Sequence, residues 1–583
     1  MNKRLVCLLL CLVMLAMCFV GCAKKTDEEA AADISDEASD SAMTLAMYLL
    51  CESEVSAEQA QKIETAVNKI TKPKFKTQLK LYFYTADKYY EALDASFAAR
   101  LEAEEAGLIT DNTPAEGEKV EDETFINEEW GITEIKYPTI DSFQVDIFYV
   151  GGYDRFQQYK EEGMLSKLDD ELSHDSKLIN DYISANYIRF MKELNSGTYA
   201  IPNNAAIGKY QYLLLNKEVL AKTRYNTTQG LSQFTSIDCD AVKSVLEQVK
   251  NEYTDFTPLY SSLGPDGIPL VNWKFWGVDE NGALSSDFSV LASAGYTNFK
   301  YKEFNNSYLS SNNILSEKDF KDTVKAMKEY KQNGYFGTED QLAQGKIAVA
   351  YMEGSTDIPV KYSDDYVAVP IGKPVMETQD LYENMFAVSS YSSSVNRSME
   401  IITYLNTNEE FRNLLLYGIE GENYELVNSE YFDENGDAYK VVRRLNNNYL
   451  MAPEKTGNAL ITYTLEGGDP TLNDYIKLQN ANVTISVTMG FTLNTELHQV
   501  RADCMEGLRQ LSASVFAKLQ AASYADVMND TYWDDLATEV NNDTNYGILT
   551  TMDPEGKQTV IGILQQYEYW AIGIGIYDPN AAA

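Results

Sequence analysis

The chain has 583 residues, of which 48 are basic and 88 acidic, and its formal net charge is −40 at pH 7. A surface this acidic repels phosphate backbones, so we expect no nucleic-acid partner. With two histidines and seven cysteines that form no C-x-x-C pair, the sequence has little material for a zinc cluster or a Ser-His-Asp triad, so we expect no metal and no cofactor.

Residues 1–21 have the pattern of a secretory signal. Two basic residues precede LVCLLLCLVMLAMCFV at positions 5–20, an apolar run shorter than the roughly 20 residues of a membrane span. The FVGC motif that ends at Cys22 resembles the lipobox of bacterial lipoproteins. That resemblance implies that Cys22 receives a diacylglycerol and becomes the first residue after cleavage; an uncleaved anchor helix is the alternative.

Residues 22–42 form an acidic segment that the sequence predicts to be a tether. KKTDEEAAADISDEASDSA has almost no large apolar side chain, so burial cannot offset the entropy of ordering it. A flexible chain of about 20 residues spans roughly 25 Å. We therefore expect a folded body held outside the cell at the outer face of the cell membrane, since two or more acyl chains suffice for stable binding. The lipid anchor should be its only membrane contact, because so acidic a surface does not bind anionic lipid.

Strands and helices alternate in the first part of the folded body. The patterns predict strands over 43–50, 76–85 and 143–152, and helices over 56–70, 86–107 and 155–165, with Ser56 as a helix cap. The acidic stretch 111–131 indicates an inserted loop. This order predicts an α/β fold with a largely parallel sheet.

The second part of the body continues in the same style. Residues 199–220 run from a turn into a strand and a helix, and short strands are predicted over 345–355 and 366–372. Residues 397–418 have the pattern of a helical pair, and 424–444 of a hairpin that turns at Asn435-Gly436.

Several stretches, taken in their order, resemble bacterial extracellular solute-binding proteins of family 1. The longer lipoproteins of the LipO type, relatives of the maltodextrin-binding proteins, are the more similar members. The stretches are DIFYVGGYDRFQQYKEEGMLSKLDD (146–170), YAIPNN with YLLLNKEVL (199–220), AQGKIAVAYMEGS (343–355), ENMFAVSSYSSSVNRSMEIITYLNTNEEFRNLL (383–415) and NYLMAPEKTGN (448–458).

The resemblance implies two α/β lobes of the periplasmic-binding-protein type II class, joined by hinge strands, with a ligand cleft between them. We expect lobe 1 to comprise 43–207 and 372–447, and lobe 2 to comprise 208–371 and 448–583. The family implies a non-enzymatic protein that captures a sugar or oligosaccharide by lobe closure and delivers it to the permease subunits of an ABC importer.

Two groups of candidate ligand contacts are expected at the cleft, one at a strand end and one, Asn203 and Asn204, at the first lobe crossing. Tyr153, Asp154 and Arg155 follow a strand at its carboxyl end, where open α/β sheets bind ligands; a tyrosine face can stack on a pyranose and an aspartate accepts hydrogen bonds from hydroxyls. An ordinary capping loop is the alternative. Asn203 and Asn204 can donate to and accept from sugar hydroxyls, although asparagine also favours plain turns.

Two further pairs complete the candidate contacts. Trp273 and Trp276 share a face if the segment is helical, and a strand would send them to opposite sides; a core cluster is the alternative to stacking on sugar. Tyr351 and Glu353 fall in the stretch where the family often places ligand contacts in a loop.

Two other functions remain open at this level. A sensory or adhesion lipoprotein would use the same cleft to inform a partner. A secreted glycoside hydrolase would need two carboxylates about 5–10 Å apart, and no motif marks such a pair. The absence of a G-x-x-x-x-G-K-[ST] motif is consistent with an importer whose ATPase is a separate chain.

Overall fold

A computed structural model of the chain describes residues 41–108, 123–127, 132–269, 274–275, 291–293, 312–316, 318–433, 435–485, 489–490 and 502–546. The predicted signal, Cys22 and nearly all of the tether lie outside these ranges. None of the helices in the described ranges combines the length and the apolar character that a bilayer crossing requires.

Eighteen strands and eighteen α-helices are described. The strands are β1 Met43–Cys51, β2 Thr77–Thr85, β3 Thr124–Asn127, β4 Ile132–Ile135, β5 Ile147–Val150, β6 Ile201–Pro202, β7 Tyr210–Asn216, β8 Thr257–Ser261, β9 Lys274–Phe275, β10 Leu291–Ser293, β11 Asn312–Asn313, β12 Ile347–Gly354, β13 Tyr366–Gly372, β14 Val375–Met376, β15 Met385–Val388, β16 Tyr424–Phe432, β17 Ala438–Arg444 and β18 Thr484–Ile485.

The helices are interleaved with these strands. They are α1 Ala57–Phe75, α2 Ala86–Glu105, α3 Tyr153–Glu161, α4 Asp169–Ser173, α5 Ala185–Asn195, α6 Lys217–Leu220, α7 Thr228–Leu231, α8 Asp240–Glu252, α9 Lys318–Gln332, α10 Glu339–Ala343, α11 Ile358–Lys361, α12 Thr378–Tyr382, α13 Val395–Thr407, α14 Glu409–Tyr417, α15 Leu472–Asn480, α16 Ala502–Ala521, α17 Tyr524–Val527 and α18 Asp530–Asn542. Short 3₁₀ turns cover Lys177–Asp181, Ile314–Ser316, Pro453–Lys455 and Ala459–Ile461.

The first sheet has the strand order β2-β1-β5-β15-β6. The strands β2, β1 and β5 are parallel, as the alternation of strands and helices predicts, whereas β15 runs antiparallel to both of its neighbours. Strand β1 is apolar almost throughout because both of its faces are covered, as is usual for a parallel strand. Val67 of α1 and Leu93 of α2 are among the buried side chains of this core.

Helix α1 begins as predicted and ends later. The Ser56 hydroxyl accepts a hydrogen bond from the Gln59 amide at 3.2 Å and caps the helix. The helix continues five residues beyond the predicted end at residue 70, because Thr71 and Phe75 remain on the buried face. Its last turn therefore packs on the sheet before the chain enters β2.

The second sheet has the order β13-β7-β12-β8. Strand β12 is parallel to β8 and antiparallel to β7, which is antiparallel to β13. The hydrophobic core beside this second sheet contains Leu213 and Val349 from the sheet, Val245 and Leu246 from α8, and Met327 from α9. Two mixed sheets with separate cores confirm the two-lobed α/β fold; we call the halves built on the first and second sheets lobe 1 and lobe 2.

The segment that follows the β16–β17 hairpin packs on lobe 1, although the lobe boundary was predicted at residue 447. Tyr449 and Met451 belong to the core of lobe 1. The Tyr449 hydroxyl donates to the Leu415 carbonyl oxygen at 2.7 Å, and the Tyr449 ring meets Phe83 edge-on at 5.7 Å. The assignment of residues 448–458 to lobe 2 is therefore corrected: these aromatic and backbone contacts hold them on lobe 1.

The helices α16 to α18 pack on lobe 2. Trp533 is fully buried, with its ring centroid 6.3 Å from that of Phe320 in α9. Lys328, also in α9, donates to the Gln520 carbonyl oxygen at 2.6 Å. This part of the chain thus adds a helical layer to lobe 2.

Candidate functional site

Two described stretches carry the chain between the sheets. Residues 203–209 lead from β6 to β7, and residues 373–384 lead from β13 to β15. They touch at Gly208, which has φ +58° and whose Cβ, if present, would lie 2.9 Å from the Val375 amide nitrogen. Glycine is needed here both for its left-handed backbone and for the close approach of the second crossing.

The end of α15 fastens the first crossing with four hydrogen bonds. The Gln479 side-chain amide donates to the Ile207 and Gly208 carbonyl oxygens, each at 2.8 Å. Asn480 donates to the Ala205 carbonyl oxygen at 2.7 Å and accepts from the Ile207 amide at 3.0 Å. We call Gln479 and Asn480 the hinge brace. The strand β18 that follows pairs with β14, so one segment holds both crossings.

The carboxyl end of β5 in lobe 1 lies against these crossings. The Gly152 amide donates to the Tyr382 carbonyl oxygen at 2.7 Å, and the Tyr149 hydroxyl donates to Asn384 Oδ1 at 2.8 Å. The Asn384 carbonyl oxygen accepts from the Asn203 amide at 2.8 Å. Both crossings therefore meet at the end of this strand.

The carboxyl end of β12 in lobe 2 reaches the same region. Gly354, its last residue, is paired with Tyr210, the first residue of β7 after the crossing. Just beyond, the Thr356 hydroxyl donates to the Tyr475 carbonyl oxygen of α15 at 2.5 Å. Because open α/β sheets bind ligands outside the carboxyl ends of their strands, this region is the candidate site.

Tyr153, Asp154 and Arg155 form the start of α3 beside that site. Tyr153 is partly buried and meets the Tyr382 ring edge-on at 5.0 Å, while Asp154 is exposed. Arg155 forms an ion pair with Asp94 at 3.1 Å. Tyr153 and Asp154 are therefore accessible to solvent, whereas Arg155 contacts α2.

Arg155 acts on the site through Tyr90. Its guanidinium lies 4.4 Å from the centre of the Tyr90 ring. The Tyr90 hydroxyl accepts from the Gly151 amide at 2.9 Å and donates to the Gly151 carbonyl oxygen at 3.3 Å. Arg155 therefore supports the backbone at the end of β5.

Asn203 and Asn204 are buried, each with 4% of its surface exposed. Asn203 donates to the Glu454 carbonyl oxygen at 2.8 Å, and Asn204 donates to the Tyr182 carbonyl oxygen at 3.0 Å. Both amides thus tie the first crossing to remote backbone through their donors. A ligand contact through these two residues remains a prediction.

Tyr351 and Glu353 lie within β12, so their placement in a loop is wrong. Tyr351 is fully buried, and its hydroxyl donates to Glu353 Oε1 at 2.8 Å. Burial, followed by the nearby Glu353 charge, raises the pKa of Tyr351 far above its usual value and keeps the hydroxyl neutral. Glu353 is partly exposed and is the member of the pair that can face a ligand.

Trp273 and Trp276 lie outside the described residues, as does Cys22. Between the two tryptophans, Lys274–Phe275 form a strand that pairs with β10, so the helix considered for this segment is not formed at those two positions. The role of the tryptophans in binding remains a prediction.

Sequence reasoning missed three groups at the site. Tyr90 and Asn384 were not singled out, and neither was the stacked pair Tyr210 and Tyr212, whose ring centres are 5.4 Å apart at the start of β7. The Y-Q-Y alternation directly after a predicted crossing was the available signal for the stacked pair. For Tyr90 and Asn384 the partners are remote in sequence, and no local pattern indicates them.

Within the described ranges, no group of three or more His, Cys, Asp or Glu side chains is placed to hold a metal ion. The thiols of Cys51 and Cys239 are free. Burial raises the pKa of the Cys51 thiol to about 11, so it stays protonated and unreactive at neutral pH.

No family model matches the chain. A carbohydrate ABC transporter substrate-binding protein of Streptococcus pneumoniae serotype 4 is 24% identical over 315 residues, which cover 52% of this chain and 58% of that protein. The match thus spans little more than half of the relative's length. The relative is of the class to which the sequence motifs pointed, so the predicted resemblance is confirmed; proteins of that class are not enzymes.

Solved structures of similar proteins cover most of the chain. The N-glycan transport solute-binding protein of Streptococcus pneumoniae, in complex with Man1GlcNAc, is 18% identical with a TM-score of 0.43, covering 91% of this chain and 99% of its own. The S. pneumoniae ABC-transporter substrate-binding protein FusA, in complex with kestose, is 13% identical with a TM-score of 0.40, covering 91% of this chain and 100% of its own. An extracellular solute-binding protein of Bifidobacterium longum subsp. infantis is 14% identical with a TM-score of 0.41 and covers 91% and 98%.

Proposed function

We propose that this chain is an extracellular solute-binding protein that captures a sugar or oligosaccharide between its lobes and passes it to the permease subunits of an ABC importer. The observation that carries the proposal is the meeting of two strand ends. The carboxyl ends of β5 and β12, one from each lobe, lie at the same pair of crossings. The name of the curated relative supports a carbohydrate as the solute.

A ligand at this place would contact both lobes. Tyr153 and Asp154 would meet it from lobe 1, and Tyr210 and Glu353 from lobe 2. Tyrosine faces suit the apolar faces of pyranose rings, while the carboxylates accept hydrogen bonds from sugar hydroxyls. Because a ligand shifts a conformational equilibrium only by its differential affinity, contacts to both lobes would favour the closed state.

Two further parts of the proposal concern residues outside the described ranges. Trp273 and Trp276 would add stacking surfaces to the site. Cys22 would carry the lipid that keeps the protein at the cell surface, where a single acyl chain gives only marginal binding and two hold stably. Replacing Cys22 by serine is expected to move the protein from the membrane fraction to the medium; retention of Cys22→Ser in the membrane would contradict the lipid anchor.

The test of function is a binding screen on the chain without residues 1–22. Maltotriose, kestose and Man1GlcNAc are each added, thermal unfolding is recorded, and the affinity of the best is measured by calorimetry. At 100 times the Kd, one site raises the free energy of unfolding by about 2.7 kcal/mol. Chromatography of the recovered sugar should return it intact. Shorter products would favour the hydrolase, and no binding of any of the three sugars would contradict a carbohydrate role.

A further inference from the structure

Arg412 is a fully buried arginine in α14 that bonds backbone carbonyl groups. Its Nη2 donates to the Pro453 carbonyl oxygen at 2.5 Å and its Nε donates to the Asn458 carbonyl oxygen at 3.1 Å. Among the described residues, no carboxylate lies within ion-pair distance of it. Burying a cation in this way is costly unless fixed dipoles replace its hydration, so the two carbonyl groups must be held in place.

The carbonyl groups belong to residues 453–458, which we call the 453–458 loop. Thr456 and Asn458 of this loop are themselves buried. Gly457 has φ +117°, and a Cβ there would lie 3.0 Å from Leu405 Cγ of α13. The loop therefore packs against α13 and α14. Arg412 donates a hydrogen bond to the first and to the last residue of the loop.

The other side of the 453–458 loop faces the candidate site. The Glu454 carbonyl oxygen accepts the Asn203 side-chain amide at 2.8 Å, which is at the first crossing. Lys455 forms an ion pair at 3.1 Å with Glu52, directly after β1. The loop thus touches both a crossing and the carboxyl end of a central parallel strand.

We propose that Arg412 is a positioning residue for the ligand site: by fixing the 453–458 loop it sets where Lys455 and Glu52 stand and holds Asn203 at the crossing. The inference rests on the proposed function, because it assumes that this region binds the solute. Arginine suits the task since its planar fork reaches two carbonyl oxygens at once, which the compact ammonium of lysine does not.

Arg412→Lys tests the proposal, and Arg397→Lys is the matched control. Arg397 is also buried, one helix earlier in α13, and donates to the Phe75 carbonyl oxygen and to Thr77 Oγ1 at the α1–β2 junction. Unlike Arg412 it also has a buried carboxylate partner, Glu400, at 2.9 Å. Hydrogen exchange of a peptide spanning 453–458 reports on the loop without any ligand. Calorimetric titration uses whichever of maltotriose, kestose and Man1GlcNAc binds the wild type.

We expect Arg412→Lys to accelerate exchange in the 453–458 loop and to raise Kd about tenfold, the effect of losing one hydrogen bond of ordinary strength. Arg397→Lys should change neither, although both variants lower the unfolding midpoint. Unchanged exchange in Arg412→Lys would overturn the proposal. So would faster exchange with unchanged Kd, and that result would leave the proposed function standing. If no sugar binds even the wild type, the proposed function fails and the inference fails with it.

A second variant keeps the proposal testable if Arg412→Lys does not fold. Lys455→Met removes the ion pair with Glu52 and leaves Arg412 and its carbonyl partners intact. Because Lys455 and Glu52 are exposed enough for their pair to contribute little to stability, the unfolding midpoint should stay the same. Kd should still rise; an unchanged Kd would show that the loop does not belong to the site.

Discussion

Replacing Asn480 by alanine removes half of the hinge brace. The Asn480 side chain donates to the Ala205 carbonyl oxygen at 2.7 Å and accepts from the Ile207 amide at 3.0 Å, and 6% of the residue is exposed. Alanine leaves the buried Ile207 amide and the partly buried Ala205 carbonyl oxygen without these partners. Losing the partner of the buried donor costs about 1–2 kcal/mol and losing that of the partly buried acceptor about 1 kcal/mol, so the local free energy of opening should fall by about 2–3 kcal/mol.

The Ile207 amide reports this change directly, because in the wild type Asn480 accepts its hydrogen bond. Its exchange with solvent deuterium should accelerate about 30- to 150-fold, since each 1.4 kcal/mol is a factor of ten. Asn482→Ala is the matched control: Asn482 lies two residues on and is exposed, and its side chain donates to the Leu478 carbonyl oxygen at 2.7 Å, away from the crossing. Equal exchange at Ile207 in both variants would show that the brace does not hold the crossing.

Three other substitutions each test one contact of the folded chain. Both carboxylate oxygens of Asp146 accept from backbone amides, those of Ala46 at 2.8 Å and Ser393 at 2.7 Å. Asp146→Asn must turn an NH₂ group toward one of them, and urea unfolding should show a loss of about 2–3 kcal/mol; a neutral result contradicts this geometry. Tyr351→Phe keeps the ring but removes the hydroxyl, so the free energy of unfolding should fall by about 1 kcal/mol. A higher Kd for the sugar would place the Glu353 carboxylate at the ligand, and an unchanged Kd would place it elsewhere. Trp533→Ala should cost about 3–5 kcal/mol and speed exchange in α16 to α18 while β1 stays protected; uniform destabilisation of both lobes would refute separate cores.

The alternation of strands and helices could be predicted because its cause is local. Strand β1 is continuously apolar, as both faces of a central parallel strand are buried, and Ser56 marks a helix start through a bond to a residue three positions away. The end of α1 was missed because the buried Phe75 ring, in its last turn, meets the Tyr404 ring of α13 edge-on at 5.2 Å, a contact that no sequence window contains.

The hinge brace could not be predicted for the same reason. Within NDYIKLQN, Gln479 and Asn480 look like an ordinary polar helix end, and their partners lie more than 270 residues earlier in the chain. The residue type of Asn203 suits a sugar hydroxyl, but no local pattern showed that its donor is used by the Glu454 carbonyl oxygen. Local patterns indicate where the crossings begin, whereas long-range packing decides which polar groups remain free.

The central claim, that two lobes close on a solute, is tested most directly by small-angle X-ray scattering on the chain without residues 1–22, with and without the sugar that gives the largest thermal shift. We predict a smaller radius of gyration with sugar present, reached at the concentration at which calorimetry shows saturation. Saturated binding with an unchanged radius of gyration would contradict lobe closure.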